Sequence, residues 1–254
     1  MSRSTLSFWL LRIALAVAGL PPATLPAAAI VGGLENDGSL ARSSVMVLTS
    51  NGGVCSAVIL TRNVILTAAH CASGAEQYRI HYRDSTGEPV MLEPEGKTVH
   101  PGYVATAVKN RKQSIDLALF KLKQPLPSQF SVATLSSIRP GAGSKITIGG
   151  FGVTQNDNGR SSGIFRTADL SVTEPYGPGR FLIWADGEEQ SGACNGDSGG
   201  PIAVNNSVFA ITAWAVGSSQ SPCGKTTQGI LLGPQRQWID KTLQSWGGQA
   251  RWHD

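Results

Sequence analysis

Residues 196–201 are Gly-Asp-Ser-Gly-Gly-Pro. At average composition this hexapeptide arises by chance about once in 10⁵ chains of this length. A serine hydroxyl attacks a carbonyl carbon efficiently only when a base removes its proton. Glycines on both sides of Ser198 let a substrate and its developing oxyanion approach the backbone closely. The stretch therefore predicts a nucleophilic serine; a glycine-rich β-turn is the alternative interpretation.

Two further segments supply the partners that such a serine needs. Residues 67–71, Thr-Ala-Ala-His-Cys, follow a predicted strand. Histidine can accept and return a proton near neutral pH, because its unperturbed pKa is about 6.5. Asp116 begins the apolar segment 116–122, where a buried carboxylate needs a partner. The imidazole N–H of His70 is a suitable partner, since a carboxylate there fixes the tautomer and stabilises the imidazolium.

These segments, together with Ile-Val-Gly-Gly at residues 30–33, resemble those of trypsin-like serine endopeptidases of the chymotrypsin fold (S1 type). The chain order His70, Asp116, Ser198 is the order of this family, and it differs from the order in subtilisins and α/β-hydrolases. The resemblance extends from Ile30 to the terminal helix, about 215 residues.

The fold implied by the resemblance is all-β. It consists of two antiparallel six-stranded β-barrels, roughly residues 30–135 and 136–232, with the active-site cleft between them and a C-terminal α-helix at 234–246. The composition agrees, because 30 glycines and 14 prolines indicate many turns and only 15% of the residues are charged. Short apolar segments rich in β-branched residues predict strands at 45–49, 57–60, 64–67, 79–82, 117–122, 145–149, 168–172, 181–184, 202–204 and 208–214.

The resemblance also implies the role of each catalytic group. Ser198 is the nucleophile, His70 is the general base and then the acid, and Asp116 orients the imidazole. The backbone N–H groups of Gly196 and Ser198 would hold the oxyanion, and losing one such donor typically costs about 3 kcal/mol of transition-state stabilisation.

The first 29 residues predict a signal peptide. Arg3 precedes an apolar run that Arg12 interrupts, and Ala27-Ala28-Ala29 offers small residues for cleavage. The run from Leu6 to Leu20 is 15 residues long, whereas a membrane span needs about 20 apolar residues. An uncleaved anchor is the alternative. Residues 30–254 then form the protease domain.

Signal cleavage and activation are predicted to be one event. In the family that the chain resembles, a freed amine at the position of Ile30 pairs with the acid at the position of Asp197. That pair acts as a switch, because a buried carboxylate without a partner is costly. Since the predicted cleavage site directly precedes Ile30, we expect signal cleavage itself to liberate the activating amine.

The four cysteines are Cys55, Cys71, Cys194 and Cys223. Export indicates an oxidising compartment, so two disulfides are favoured over a metal site, and four cysteines allow three connectivities. There is no CxxC spacing for structural zinc. The resemblance implies the pairs Cys55–Cys71 and Cys194–Cys223. Segment 84–95 has acids without a clear calcium-ligand pattern, and we expect neither a metal nor a cofactor.

The substrate pocket excludes one specificity and favours another. Gly192 lies six residues before Ser198, where trypsin-type enzymes carry an aspartate, so cleavage after Lys or Arg is not expected. Ala215 adds a methyl group at the entrance, which favours small or medium apolar residues. A carboxylate from Glu188 or Glu189 would reverse this prediction. The resemblance assigns to the pocket Gly192, Ala193, Ala213, Trp214, Ala215 and Gly229.

Four further positions are interpreted individually. Phe151 replaces a tryptophan common in the family, which affects packing. Ala213 replaces a serine that usually contacts the catalytic aspartate, so Asp116 loses one hydrogen bond. Trp214 either binds extended substrate backbone or belongs to the core. His253 lies at a terminus that is expected to fray.

The resulting hypothesis is a secreted serine endopeptidase, extracellular or periplasmic, that hydrolyses peptide bonds through an acyl-enzyme on Ser198. The alternatives are a catalytically silent protease-fold binding protein and an esterase that uses the same triad. Residues 30–254 carry 19 basic and 17 acidic side chains, a net charge too small for a nucleic-acid partner. The expected partners are polypeptide substrates and a proteinaceous inhibitor. We expect a monomer without stable membrane association after signal cleavage.

Overall fold

The computed structural model describes residues 30–110, 112–154, 161–173, 180–188, 191–217 and 221–253. The predicted signal peptide and Glu189 lie outside these ranges. The strands are, in chain order, β1 (Leu34–Glu35), β2 (Ser44–Thr49), β3 (Val54–Thr61), β4 (Val64–Thr67), β5 (Tyr78–Arg83), β6 (Pro89–Leu92), β7 (Pro94–Val99), β8 (Ala118–Leu122), β9 (Thr134–Ser136), β10 (Lys145–Gly150), β11 (Arg166–Thr173), β12 (Leu182–Asp186), β13 (Pro201–Val204), β14 (Ser207–Val216), β15 (Thr226–Leu231) and β16 (Arg251–His253).

The helices are few and short. They are α1 (Ser39–Arg42), α2 (Ala107–Asn110) and α3 (Arg236–Ser245), with 3₁₀ turns at Ala69–Ala72 and Gly233–Gln235. None of the helices described has the length and apolar character needed to cross a bilayer. The prediction of a mostly β chain with one C-terminal helix is confirmed.

The first unit is a curled antiparallel sheet with the strand order β6-β5-β2-β3-β4-β8-β7. Within the described residues its edge strands, β6 and β7, do not pair with each other, so the sheet has seven strands and remains open where a closed six-stranded barrel was predicted. Both edge strands begin with a proline, Pro89 and Pro94, which has no N–H to donate to a neighbouring strand. The interior of this first sheet is apolar and includes the buried side chains of Ile59, Ile65 and Phe120.

The second unit is a closed barrel of six strands in the order β13-β10-β11-β12-β15-β14, with β13 also paired to β14. Strand β1 adds to β11, while β9 and β16 extend the sheet in parallel beyond β14. The barrel interior includes Ile146, Ile183 and Phe209, which are all fully or nearly fully buried. The predicted second barrel is therefore present, with additions at its edges.

The two units and the terminal helix share one apolar cluster. Leu66 and Leu119 of the first sheet pack in the same cluster as Ile211 of the barrel and Ile239 and Leu243 of α3. The helix presents the apolar stripe predicted at three- and four-residue intervals, because both of these α3 side chains are fully buried. This shared core fixes how the two units face each other.

The chain beyond α3 is ordered by specific contacts. Trp252 donates from Nε1 to Asp240 at 2.9 Å, and the guanidinium of Arg236 lies 4.8 Å from the centroid of the Trp252 ring. His253 belongs to β16 and pairs in register with Ser136. The expectation that His253 frays is therefore wrong, because strand pairing and these side-chain contacts hold the segment in place.

Candidate active site

A cleft of about 1190 Å³ is lined by residues of both units. The first unit contributes His70 and Asp116, and the second contributes Ser198, Ala213 and Trp214. The structure thus brings three side chains that are far apart in sequence to one surface. The remaining lining residues include Tyr103, Lys112, Trp184, Asn195, Lys225 and Thr226.

The imidazole of His70 is fixed by Asp116. Strand β4 pairs with β8 so that Thr67 faces Ala118, which places the residues after β4 beside those before β8. His70 lies in the 3₁₀ turn after β4, and its Nδ1 donates to Asp116 Oδ2 at 2.7 Å while its backbone N–H donates to Oδ1 at 2.8 Å. Two bonds from one residue therefore hold the carboxylate and orient the ring, leaving Nε2 to act as a base.

Ser198 lies in the loop before β13, which is anchored to β3 of the other unit. Ser56 donates from its backbone N–H to the Ser198 carbonyl at 2.8 Å and from its hydroxyl to the Gly196 carbonyl at 2.9 Å. Gly199 has a φ of +84° and packs so closely on Ser56 and Thr67 that a side chain would collide with them. Ser56 could not be identified from the sequence, because nothing in the sequence shows that these segments meet.

The loop leaves two amide donors available. The N–H groups of Asp197, Gly199 and Gly200 donate to backbone carbonyls at 3.1, 2.7 and 2.9 Å respectively. Within the described part of the chain, no acceptor receives a hydrogen bond from the N–H of Gly196 or of Ser198. Gly196 has a φ of +98°, a backbone conformation that favours glycine. These two donors can serve a developing oxyanion.

The serine and the imidazole share the cleft without a direct bond. Among the described hydrogen bonds there is none between Ser198 Oγ and His70 Nε2, and Nε2 lies 3.6 Å from Cys71 Sγ. Catalytic hydrogen bonds are often long without substrate and tighten when substrate binds. Proton transfer therefore requires Ser198 Oγ and His70 Nε2 to come into hydrogen-bond contact.

Both disulfides border the site. Cys55 is joined to Cys71, next to His70, and Cys194 is joined to Cys223, with both of these cysteines on the cleft wall. These are the pairs that the resemblance implies. Among the described residues the one cluster with metal-ligand geometry is Cys55, His70 and Cys71. Its two sulfur atoms form a disulfide and offer no thiolate ligand.

The predicted activation pair, Ile30 and Asp197, is buried, and Ile30 belongs to the apolar cluster of the second barrel. Ile30 is fully buried, and Asp197 is 1% exposed. The Asp197 carboxylate accepts hydrogen bonds from the N–H of Gly152 at 2.8 Å and of Cys194 at 2.9 Å. Burial raises its pKa from 3.8 to about 7, against the opposing effects of these two bonds and of Arg166. A cation near this carboxylate would stabilise its ionised form.

Three residues assigned to the pocket do not line the cleft. Gly192 pairs with Val31, and a side chain there would press on the Gly224 backbone. Ala193 is 1% exposed and donates from its N–H to Thr227 Oγ1 at 3.0 Å. Gly229 packs against barrel-interior side chains. Thr227, which was not assigned to the pocket from the sequence, is the residue whose side chain contacts Ala193.

Ala213, Trp214 and Ala215, which were also assigned to the pocket, do line the cleft. Trp214 is 42% exposed, and its ring lies edge-on to Trp184 with a centroid distance of 6.1 Å. The core interpretation of Trp214 is therefore wrong. Glu188 is 87% exposed and pairs with Lys145 at 3.1 Å, so it does not reach into the cleft.

Comparisons with known proteins agree with this geometry. A family model described as Trypsin matches residues 30–230. Kallikrein-4 from Homo sapiens is 28% identical over 210 residues, covering 75% of this chain and 78% of the relative. Brachyurin from Leptuca pugilator is 27% identical over 201 residues, covering 73% of this chain and 86% of the relative.

Solved structures show the same fold. Neuropsin, a serine protease expressed in the limbic system of mouse brain, has a TM-score of 0.70 at 20% identity and covers 84% of this chain and 99% of its own. An inactivated protease paralogue of the scabies mite has a TM-score of 0.67 at 22% identity, with coverages of 84% and 99%. The predicted chymotrypsin fold is thereby confirmed. The chain belongs to the trypsin family, whose members are serine endopeptidases.

Proposed function

We propose that the chain hydrolyses peptide bonds with Ser198 as nucleophile, His70 as general base and acid, and Asp116 as the group that orients His70. One observation carries this proposal: the imidazole held by Asp116 at 2.7 Å opens onto the same cleft as Ser198. The available N–H groups of Gly196 and Ser198 complete the set that acyl transfer requires.

The reaction has two stages, acylation of Ser198 and hydrolysis of the acyl-enzyme. Ser198 Oγ attacks the scissile carbonyl carbon while His70 Nε2 takes the hydroxyl proton, and the resulting oxyanion is held by the two free amides. His70 then gives that proton to the leaving amine, and the C–N bond breaks to leave an acyl-enzyme. Water attacks the ester while His70 removes its proton, and the proton returns to Ser198 as the new carboxylic acid leaves.

The active form in this proposal begins at Ile30. The free amine would pair with the Asp197 carboxylate, which is almost fully buried, and this ion pair would ionise Asp197. Signal cleavage before Ile30 would create that amine directly. Intact mass of the active secreted enzyme tests this step: a start at Ile30 supports it, and an active form that starts upstream refutes it.

The proposed preference is for small or medium apolar residues before the scissile bond. Among the described residues that line the cleft, the one acid is Asp116, and its carboxylate is already paired with His70. Lys112 and Lys225 also line the cleft and carry positive charge. A basic substrate side chain would find no free countercharge there, and desolvating it unpaired is costly. The methyl group of Ala215 narrows the cleft, which favours substrates with short apolar side chains over those with long ones.

A panel of chromogenic peptides that differ at the residue before the cut tests this preference. We expect the highest kcat/KM after Ala or Val and the lowest after Arg or Lys. Fastest turnover after Arg would refute the assignment. The matched variant Ala215→Gly should extend the preference to larger apolar side chains, since it removes the methyl group.

A serine-directed fluorophosphonate tests the nucleophile and separates the alternatives. We expect labelling of the mature enzyme, and none of Ser198→Ala or of the enzyme after prior sulfonyl fluoride treatment. Absence of labelling in correctly processed protein would favour a binding protein. Ester hydrolysis without cleavage of any denatured protein would favour an esterase.

We further propose secretion of a monomeric enzyme without stable membrane association, acting on polypeptides and open to a proteinaceous inhibitor. Two disulfides support an oxidising compartment. Cell fractionation together with size-exclusion chromatography of the mature enzyme tests location and oligomeric state, and a membrane-bound or dimeric form would refute the corresponding part.

A further inference from the structure

The N-terminal arm, defined here as residues 30–36, is attached to the barrel at two places. The first attachment is at its start. Ile30 is fully buried, and the Gly192 N–H donates to the Val31 carbonyl at 3.0 Å. This attachment holds the residue whose amine is proposed to activate the enzyme.

The second attachment lies at the end of the arm. Strand β1 runs antiparallel to β11, and the Asn36 N–H donates to the Phe165 carbonyl at 3.1 Å. The side-chain amide of Asn36 also donates to Thr167 Oγ1 at 3.2 Å. Leu34 in this part of the arm is 77% exposed, so the docking described here depends on polar contacts.

An ion pair stands at the centre of this second attachment. Arg166 Nη2 donates to Glu35 Oε1 at 3.0 Å; the arginine side chain is 4% exposed and the glutamate side chain is 60% exposed. In β11, Arg166 takes an alternating position shared with the buried Leu170 and Val172. A buried guanidinium is costly to place in such a position without a compensating partner.

The same arginine also stands near the activation pair. Arg166 is directly opposite Gly150 in β10, and Gly150 packs so closely on the Asp197 carboxylate that a side chain there would overlap it. The charge of Arg166 lowers the pKa of Asp197, although burial has the larger, opposite effect. Arg166 therefore contacts Glu35 at the end of the arm and lies opposite the residue that packs on the Asp197 carboxylate.

We infer that Arg166 is a positioning residue for activation: its ion pair with Glu35 docks the N-terminal arm, so that the Ile30 amine is presented to Asp197. The inference rests on the proposed Ile30–Asp197 pair. Docking five residues downstream shortens the free segment of the arm to a few residues. A short tether gives the amine a high effective concentration at its partner, which favours the inserted form.

Protection of the Ile30 amine measures insertion directly. Cyanate carbamylates a free amine, and an amine buried against Asp197 reacts only when the arm comes out. The mature enzyme is treated with cyanate at neutral pH, and the N-terminal peptide is followed by mass spectrometry. The variants are Arg166→Gln, the charge-retaining Arg166→Lys, and Arg79→Gln, which breaks the 2.9 Å Arg79–Glu93 ion pair of the first unit as a matched control.

We expect Arg166→Gln to raise the carbamylation rate of Ile30 about tenfold, since one partner is buried and the other exposed. It should lower kcat while leaving KM nearly unchanged, because fewer molecules have the arm inserted. Arg166→Lys should restore most of the protection, and Arg79→Gln should behave as wild type. Where Arg166→Gln fails to fold, Glu35→Gln breaks the pair from its exposed side, with an increase in rate expected again.

Two results would overturn the inference, and only the second would also overturn the proposed activation step. Unchanged protection of Ile30 in Arg166→Gln or Glu35→Gln removes the role of Arg166 and leaves the proposed catalytic function intact. A wild-type Ile30 amine that reacts as fast as the free peptide Ile-Val-Gly-Gly removes the Ile30–Asp197 pair, and with it both this inference and the proposed activation step.

Discussion

The buried carboxylate of Asp197 makes the stability of the unprocessed chain depend on pH. In that chain Ile30 is joined to Ala29, so its nitrogen carries no charge. Burial raises the pKa of Asp197 from 3.8 to about 7. The folded chain therefore retains a proton between these pH values that the unfolded chain releases, and the free energy of unfolding falls as pH rises through this window.

The size of the effect follows from the pKa values. At 1.36 kcal/mol for each pKa unit, a rise from 3.8 to about 7 removes about 4 kcal/mol of stability by pH 7. The stability contribution is fully present below pH 3.8 and is lost by pH 7. The isosteric Asp197→Asn cannot ionise, so it lacks this part of the pH dependence.

The assay is urea unfolding of the unprocessed chain at pH 4, 5, 6 and 7, followed by tryptophan fluorescence. Ser198→Ala serves as the background that prevents self-cleavage, with and without Asp197→Asn. We expect the difference in unfolding free energy between the two chains to change by about 3.5 kcal/mol between pH 4 and pH 7. Parallel pH profiles would refute the conclusion that burial raises the pKa of Asp197 in the folded chain.

Three other outcomes follow from the structure. Replacing Cys194 and Cys223 with Ala should lower the free energy of unfolding by about 3.5 kcal/mol, because their 29-residue separation sets the loop entropy that the disulfide removes; a loss below about 1 kcal/mol in chemical denaturation would contradict this. Burial lowers the pKa of His100, so the stability contribution of its neutral form should be present above pH 6.5 and decline as pH falls below it. The melting temperature of His100→Phe should fall less than that of the wild type as the pH is lowered below 6.5. Identical pH profiles for the two proteins would contradict this role of His100. Trp214→Ala should raise KM several-fold for long peptides and leave single-residue esters unchanged, since the exposed ring lines the cleft beyond Ser198; equal effects on both substrates would contradict a role in binding extended peptides.

The strands were predictable where burial imposed a simple pattern. The segment 64–67 was predicted with its observed bounds, because all four residues are buried and apolar or β-branched. Strand β7 was missed because Pro94–Val99 contains mainly polar residues and a glycine, is only partly buried, and so lacks the apolar pattern of a strand. Strand β15 was missed because Thr-Thr-Gln-Gly at its start has no apolar period, and its pairing with β12 and β14 supplies the order.

The chemistry of the site was predictable because catalysis restricts the residue types. A serine between glycines, a histidine after a strand and an aspartate before one have few joint explanations, and the structure places His70, Asp116 and Ser198 on one cleft. The back of the pocket was less predictable. Which of Thr227 and Gly229 lies beside Ala193 depends on how β15 aligns with its neighbours, and pairing register is a long-range property.

By itself, the sequence determined the family, the reactive groups and the residues that had to be buried, because these depend on side-chain chemistry and on local patterns. Tertiary structure decided which groups face each other. It joined Arg166 to Glu35 across β1 and β11, and it set Asp197 in an interior where water cannot solvate its charge. Distances across a folded chain arise from packing among segments remote in sequence, so no local pattern contains them.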